Sequence, residues 1–200
     1  MTQLADSAAR LEFLMSRRSA NALVEPGPSR AQIDQMLRAT VTVPDHGRMR
    51  PFRIVVIEGD GRLAFGRALA AAATERKPSL SAEGQAAVAA KALRSPTSIA
   101  IIASPRAGKV ETWEQHATAA CAGYAIILAA HAIGVGAVWK SVPFTRGKAL
   151  AELFGMTETE EMLGWIHLGT SPADEAIAPR PVVDLAALTT VIDRDDGAGR

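Results

Sequence analysis

Apolar positions along this chain gather into four short blocks set between longer stretches with a helical pattern. Residues 52–58, Phe-Arg-Ile-Val-Val-Ile-Glu, are rich in β-branched side chains and bounded by Pro51 and Gly59. They predict a strand, and the continuous apolar centre predicts a buried one. Residues 97–104 (Thr-Ser-Ile-Ala-Ile-Ile-Ala-Ser) predict a second, 134–138 a short third, and 162–168 (Met-Leu-Gly-Trp-Ile-His-Leu) a last core strand. Helices are predicted over 7–16, from the capping box Ser29-Arg30-Ala31-Gln32 to near Leu37, and over 62–76, 82–94 and 145–154. A long central helix is predicted from a second capping box, Thr112-Trp113-Glu114-Gln115, to about Ile133. Glu25-Pro26-Gly27-Pro28, Lys77-Pro78-Ser79, Ser95-Pro96 and Pro143 punctuate these elements. Pro172, Pro179 and Pro181 make the remainder extended, with 193–200 read as a disordered tail. Helices around a mixed central sheet, without repeat or linker, give an α+β class and one domain over residues 1–192.

Composition narrows the function classes. A chain of 200 residues, 48% hydrophobic, can build one substantial core. Lys plus Arg number 22 against 21 for Asp plus Glu, and a formal charge of +1 gives no electrostatic reason for a nucleic-acid partner. Cys121, the only cysteine, excludes an intrachain disulfide; in an apolar helical run it reads as a buried, inert thiol, which fits a reducing compartment. The amino terminus, Met1-Thr2-Gln3-Leu4-Ala5-Asp6, has no basic start and no apolar h-region. Residues 119–139 have the length of a membrane span, but they are built from alanine and glycine, contain His131 and run into Lys140, so a helix buried in protein is expected. A cytoplasmic protein without a membrane segment follows.

Several motifs point to chemistry and then fail to support it. Gly59-Asp60-Gly61-Arg62-Leu63-Ala64 follows a strand, opens a helix and fits G-x-G-x-x-[G/A]. A dinucleotide fold would next need a parallel strand within ~30 residues and an acidic ribose ligand ~20 residues on. The following segment instead looks helical and Glu83 is misplaced, so a Gly-rich turn is the preferred reading. His46, His116, His131 and His167 are scattered and no C-x-x-C or H-x-x-x-H exists, so no metal site is expected. No serine stands in G-x-S-x-G, and no histidine is tied to Cys121. His131, on an apolar helix, reads as a structural histidine with one satisfied nitrogen. Trp113, Trp139 and Trp165 read as core or interface residues. His46 sits in a Pro/Asp/Gly loop beside Arg48 and Arg50, where binding groups concentrate.

Three stretches carry the remaining signal: Arg17-Arg18-Ser19 closing the first helix, Pro44-Asp45-His46-Gly47-Arg48-Met49-Arg50-Pro51 ahead of the first strand, and Gly134-Val135-Gly136-Ala137-Val138-Trp139-Lys140-Ser141. In this order and spacing they resemble the flavin-site elements of the nitroreductase family, in its compact NAD(P)H nitroreductase branch, over about residues 10–192. The resemblance implies an FMN-dependent oxidoreductase with a nitroreductase-like mixed sheet. It also implies a homodimer with FMN at the subunit interface and an extended C-terminal tail packing on the partner. Arg17, Arg18 and Ser19 match the stretch that contacts the FMN phosphate and ribityl chain, a role that suits the arginine fork. Thr42, where relatives have an arginine, and His46 match positions that approach the flavin from the other subunit, His46 also orienting substrate. Trp139-Lys140-Ser141 matches a Trp-Arg-Ser segment touching the flavin, and residues 129–134 a stretch associated with nicotinamide binding. Arg50 stands where many relatives have glutamine beside the ring.

No side chain is assigned as catalytic, because the cofactor carries the redox step. The implied cycle is ping-pong, from NAD(P)H as co-substrate through flavin N5 to an electron-poor acceptor such as a nitroaromatic or quinone. Two alternatives stay open on sequence grounds: a Rossmann-type NAD(P) enzyme using Gly59 to Ala64, and a non-catalytic FMN-binding or storage protein.

Overall fold

The computed structural model describes residues 2–20, 22–173 and 179–192, so the tail expected over 193–200 lies outside the described residues. Its sheet has four strands, β1 (Phe52–Ile57), β2 (Thr97–Ala103), β3 (Gly136–Lys140) and β4 (Glu161–Gly169), in the order β1-β2-β4-β3. The class is α+β as expected. Each described pairing is antiparallel, so the parallel component of a mixed sheet is not found among the described residues.

The two-residue period of the central strands sorts their side chains onto opposite faces. Ile99, Ile101, Ile166 and Leu168 face helices α2 (Arg30–Arg38) and α5 (Thr112–Ala132), joining Ile33, Met36 and Ile126 in one core. Ala100, Ile102, Met162 and Trp165 face α3 (Gly61–Arg76) and α6 (Lys148–Phe154), joining Phe65, Leu69 and Leu150 in another. Helix α4 (Ala82–Ala89) packs on α3, and α1 (Thr2–Ser16) opens the chain.

Capping chemistry set α2 where the sequence predicts it: Ser29 Oγ accepts from the Gln32 amide and Gln32 Oε1 from the Ser29 amide, at 3.3 and 2.9 Å. The second capping box does not form. Glu111 is the N-cap of α5 and makes no side-chain cap bond. Gln115 turns away, its Nε2 donating to the carbonyls of Arg106 and Val110 while its Oε1 accepts from the Arg106 amide. That side chain staples the 106–110 loop instead.

Other expectations also need correction. β1 is half-buried along most of its length because it is the sheet edge. Cys121 is exposed, since α5 buries Ala119, Ala122 and Ile126 and turns Cys121 outward. Trp113, 71% exposed, is no core residue. α6 begins at Lys148 because Thr145 is drawn into the sheet margin, its carbonyl accepting from the Met162 amide at 3.1 Å. Gly59, at φ +51°, makes the turn into α3, but β1 and β2 run antiparallel, which removes the parallel crossover a Rossmann site requires. Among the described residues no helix is long and apolar enough to cross a membrane.

Candidate functional site

Gly134, at φ +74°, ends α5 and turns the chain directly into β3, whose outer edge has no neighbouring strand in the sheet. The segment after α1 fills part of that edge, where the Ala20 amide donates to the Ala137 carbonyl at 3.0 Å, and then pairs with the chain just after β4, where Val24 and Thr170 exchange two amide bonds at 2.9 Å each. Arg17, Arg18 and Ser19 are therefore held beside Gly134, Gly136 and Ala137, and together with His131 and Ser171 they line a cavity of about 320 Å³. Gly136 permits this approach, because a Cβ there would overlap Ser171 Oγ and Leu23.

The cavity is electrostatically one-sided. Arg17 and Arg18 both line it, and among the described residues no carboxylate lines it and neither guanidinium has an ion-pair partner. His131 stacks on Phe13 with ring centroids 4.9 Å apart, and its Nε2 lies 3.0 Å from Ser16 Oγ. Ser16 Oγ donates to the Phe13 carbonyl at 2.9 Å, so it accepts from His131, which places the ring proton on Nε2. Arg180, from the extended C-terminal segment, donates through Nη2 to the carbonyls of Met15 and Arg17 at 3.0 and 2.8 Å. It thereby occupies carbonyls left open by the end of α1 and fixes the start of the arginine loop.

Of the residues singled out by sequence, Arg17, Arg18 and Ser19 meet at this cavity with part of 129–134. Trp139, Lys140 and Ser141 continue the strand that lines it but do not line it themselves. The Trp139 indole lies between α5 and β4, where Gly123 and Gly164 leave room for it, while Lys140 and Ser141 are exposed. Thr42 and His46 are elsewhere: Thr42 Oγ1 donates to the Ala39 carbonyl at 2.8 Å, and His46 Nδ1 lies 2.9 Å from Glu114 Oε2 in the first turn of α5. Glu114 and His131 are separated by ~25 Å of helix axis at 1.5 Å per residue, so one subunit does not bring these groups together. Sequence reasoning missed Ser16 and Arg180, and read His131 only as a structural histidine within the 129–134 stretch. His131 stands one turn before the Gly134 break, a position at a helix end that distinguishes it from a mid-helix core histidine.

Comparison with known proteins follows the same elements. A model of the Nitroreductase family matches residues 14–170. The chain is 38% identical over 161 residues, 80% of its own length and 87% of the other, to the Escherichia coli K12 protein named "Putative NAD(P)H nitroreductase YdjA". Among solved structures it superposes on a nitroreductase-like family protein from Bacillus cereus with a TM-score of 0.79 at 20% identity, covering 92% of this chain and 96% of that one. It superposes on a nitroreductase from Bacteroides fragilis with bound FMN with a TM-score of 0.68 at 16% identity, covering 92% and 98%.

Proposed function

This chain belongs to the nitroreductase family, and we propose that it is an FMN-dependent oxidoreductase using NAD(P)H, working in the cytoplasm as a homodimer. One observation carries the reading: the arginine loop and the β3 edge enclose a cavity that, among the described residues, has two unpaired guanidiniums and no carboxylate. The donor set fits a phosphorylated flavin. Arginine forks recognise phosphate bidentately, and the hydroxyls of Ser19 and Ser171 suit a polyol chain.

When bound there, FMN would relay hydride through N5 from NAD(P)H to an electron-poor acceptor such as a nitroaromatic or quinone, in ping-pong order. The protein's part is binding and orientation. Arg17 and Arg18 would hold the phosphate. Ser16, His131 and Arg180 would keep their loop in register through the bonds already made. Lys140, at the exposed end of β3, supplies a further cation on the strand that lines the cavity. His46, held by Glu114, and Thr42 would serve the site of the other subunit. No side chain need donate or accept a proton in the hydride step, so the lack of an assigned acid or base is no obstacle.

The absorption spectrum of the purified protein, with mass identification of any released flavin, tests the cofactor. Anaerobic addition of NADPH or NADH then separates enzyme from storage protein. Bleaching of bound FMN supports the oxidoreductase; FMN that stays oxidised with both donors supports storage.

A further inference from the structure

The loop before β1 adopts backbone conformations that its residue types resist. Gly47 lies at φ +72°, which glycine tolerates, but Arg48 at φ +53° and Arg50 at φ +46° are also left-handed. Arg50 additionally precedes Pro51, which narrows its choice further. Such conformations persist only where the surroundings impose them. Asp45 does so: its Oδ1 accepts from the Met49 amide at 3.0 Å, its Oδ2 from the Arg50 amide at 2.8 Å, and its carbonyl from the Arg48 amide at 3.1 Å.

The imposed conformation has a consequence in space. Arg48 and Arg50 line the same hollow of about 570 Å³, with Val41 and Phe52 as apolar wall. Among the described residues Asp45 is the only carboxylate lining it, and both its oxygens accept from amides. Neither guanidinium has a hydrogen-bond or ion-pair partner among the described residues. Two like charges lining one concavity repel, and an anion bound between them relieves that repulsion. An apolar wall beside the cation pair selects an anion carried on a flat ring.

We propose that this hollow, on the loop whose Thr42 and His46 would serve the other subunit's flavin site, is an oxyanion subsite distinct from its own subunit's β3-edge cavity, which binds the phosphate or carboxylate of an aromatic co-substrate. Phosphate on adenosine, as in the 2′-phosphate of NADPH, and carboxylate on a nitroarene share this chemistry. The choice of these two sources rests on the proposed function; the subsite itself rests on the geometry.

Calorimetric titration of the purified full chain with 2′-AMP against adenosine, and with 4-nitrobenzoate against nitrobenzene, tests it. At least one anion should bind ten-fold or more tightly than its uncharged counterpart, with the preference shrinking as salt rises. Whichever pair shows the preference identifies the source. The double variant Arg48→Gly/Arg50→Gly removes both cations while keeping residues at ease with positive φ, and it should abolish the preference; Arg50→Lys should retain part of it. Equal binding of charged and uncharged probes, or a preference undiminished in the double glycine variant, overturns the subsite. Flavin content is recorded in parallel. No preference in the native chain with FMN bound counts against the subsite alone, and a preference in the native chain without FMN counts against the proposed function alone.

Discussion

Arg17 carries the sharpest expectation for a single side chain. It lines the cavity beside Arg18 with no ion-pair partner among the described residues, so a phosphate there gains a charge-assisted bond at little competing cost. Arg17→Ala should raise the FMN dissociation constant by one to two decades, roughly 1.5–3 kcal/mol, in a fluorescence titration. Unchanged affinity would remove Arg17 from the site. His167 makes a different kind of prediction, about stability. It is buried across β2 and β4, where its Nε2 accepts from Trp165 Nε1 at 2.8 Å, so its proton lies on Nδ1, 2.7 Å from Ser95 Oγ and 3.0 Å from Ser98 Oγ. Burial first, then the charges of Lys140 and Arg94, lower its pKa to about 4. Above pH ~6.5 neither the folded nor the unfolded chain protonates this ring. Between ~6.5 and about 4 the unfolded chain takes a proton that the fold refuses, so stability falls as pH falls, by up to about 3 kcal/mol. Urea midpoints at pH 7 and pH 4.5 should therefore fall further for the native chain than for His167→Gln, whose amide does not titrate.

At the scale of elements, the contact between α5 and the sheet turns on Gly123. A Cβ at Gly123 would overlap the Trp139 ring, which Gly164 of β4 also accommodates. Gly123→Ala gains about 1 kcal/mol of helix propensity, but the indole is hemmed in on both sides and overpacking costs about 1–3 kcal/mol. The net expectation is loss of stability with a shift in Trp139 emission, read by thermal melting and fluorescence. Removing the capping box with Ser29→Ala should cost about 1 kcal/mol in the same assay. These cases mark what sequence could and could not reveal. The Ser29 box was legible because both partners are local. The Thr112 box was not, because Gln115 is claimed by the 106–110 loop, a contact invisible to spacing. The strands were legible from β-branched runs, but β1 looked buried because sequence does not say which strand forms the edge. Arg17-Arg18-Ser19 and the 134–141 stretch read as one site through their order, but only its 134–137 part lines the cavity; Trp139, Lys140 and Ser141 lie outside the lining. Arg180 reaches the same loop from more than 160 positions away, and no pattern announces it.

Among the described residues, the first helix and the C-terminal segment expose apolar side chains. Leu11, Leu14 and Met15 of α1 are 59%, 47% and 66% exposed, and the C-terminal segment exposes Val182, Leu185, Leu188, Val191 and Ile192. Arg180 ties that segment to the end of α1, so both sets belong to one region of the chain. Single exposed apolar residues are ordinary, whereas apolar surface concentrated on two joined segments favours a protein partner, and a second copy is always available. Sedimentation should accordingly give twice the 21.0 kDa chain mass. The double variant Leu14→Asp/Met15→Asp changes only exposed side chains and leaves the Phe13, Ser16 and Arg180 contacts intact, so it should fold and sediment as one copy. Its flavin affinity then says who completes the cavity. His46, held by Glu114, lies ~25 Å along α5 from its own subunit's cavity, so His46 and, with it, Thr42 are expected to serve the cavity of a second copy. A single copy should therefore bind FMN more weakly than the dimer even with Arg17, Arg18 and Ser19 in place. Undiminished affinity in the single copy would mean that each cavity is complete by itself and that Thr42 and His46 play no part in holding the cofactor.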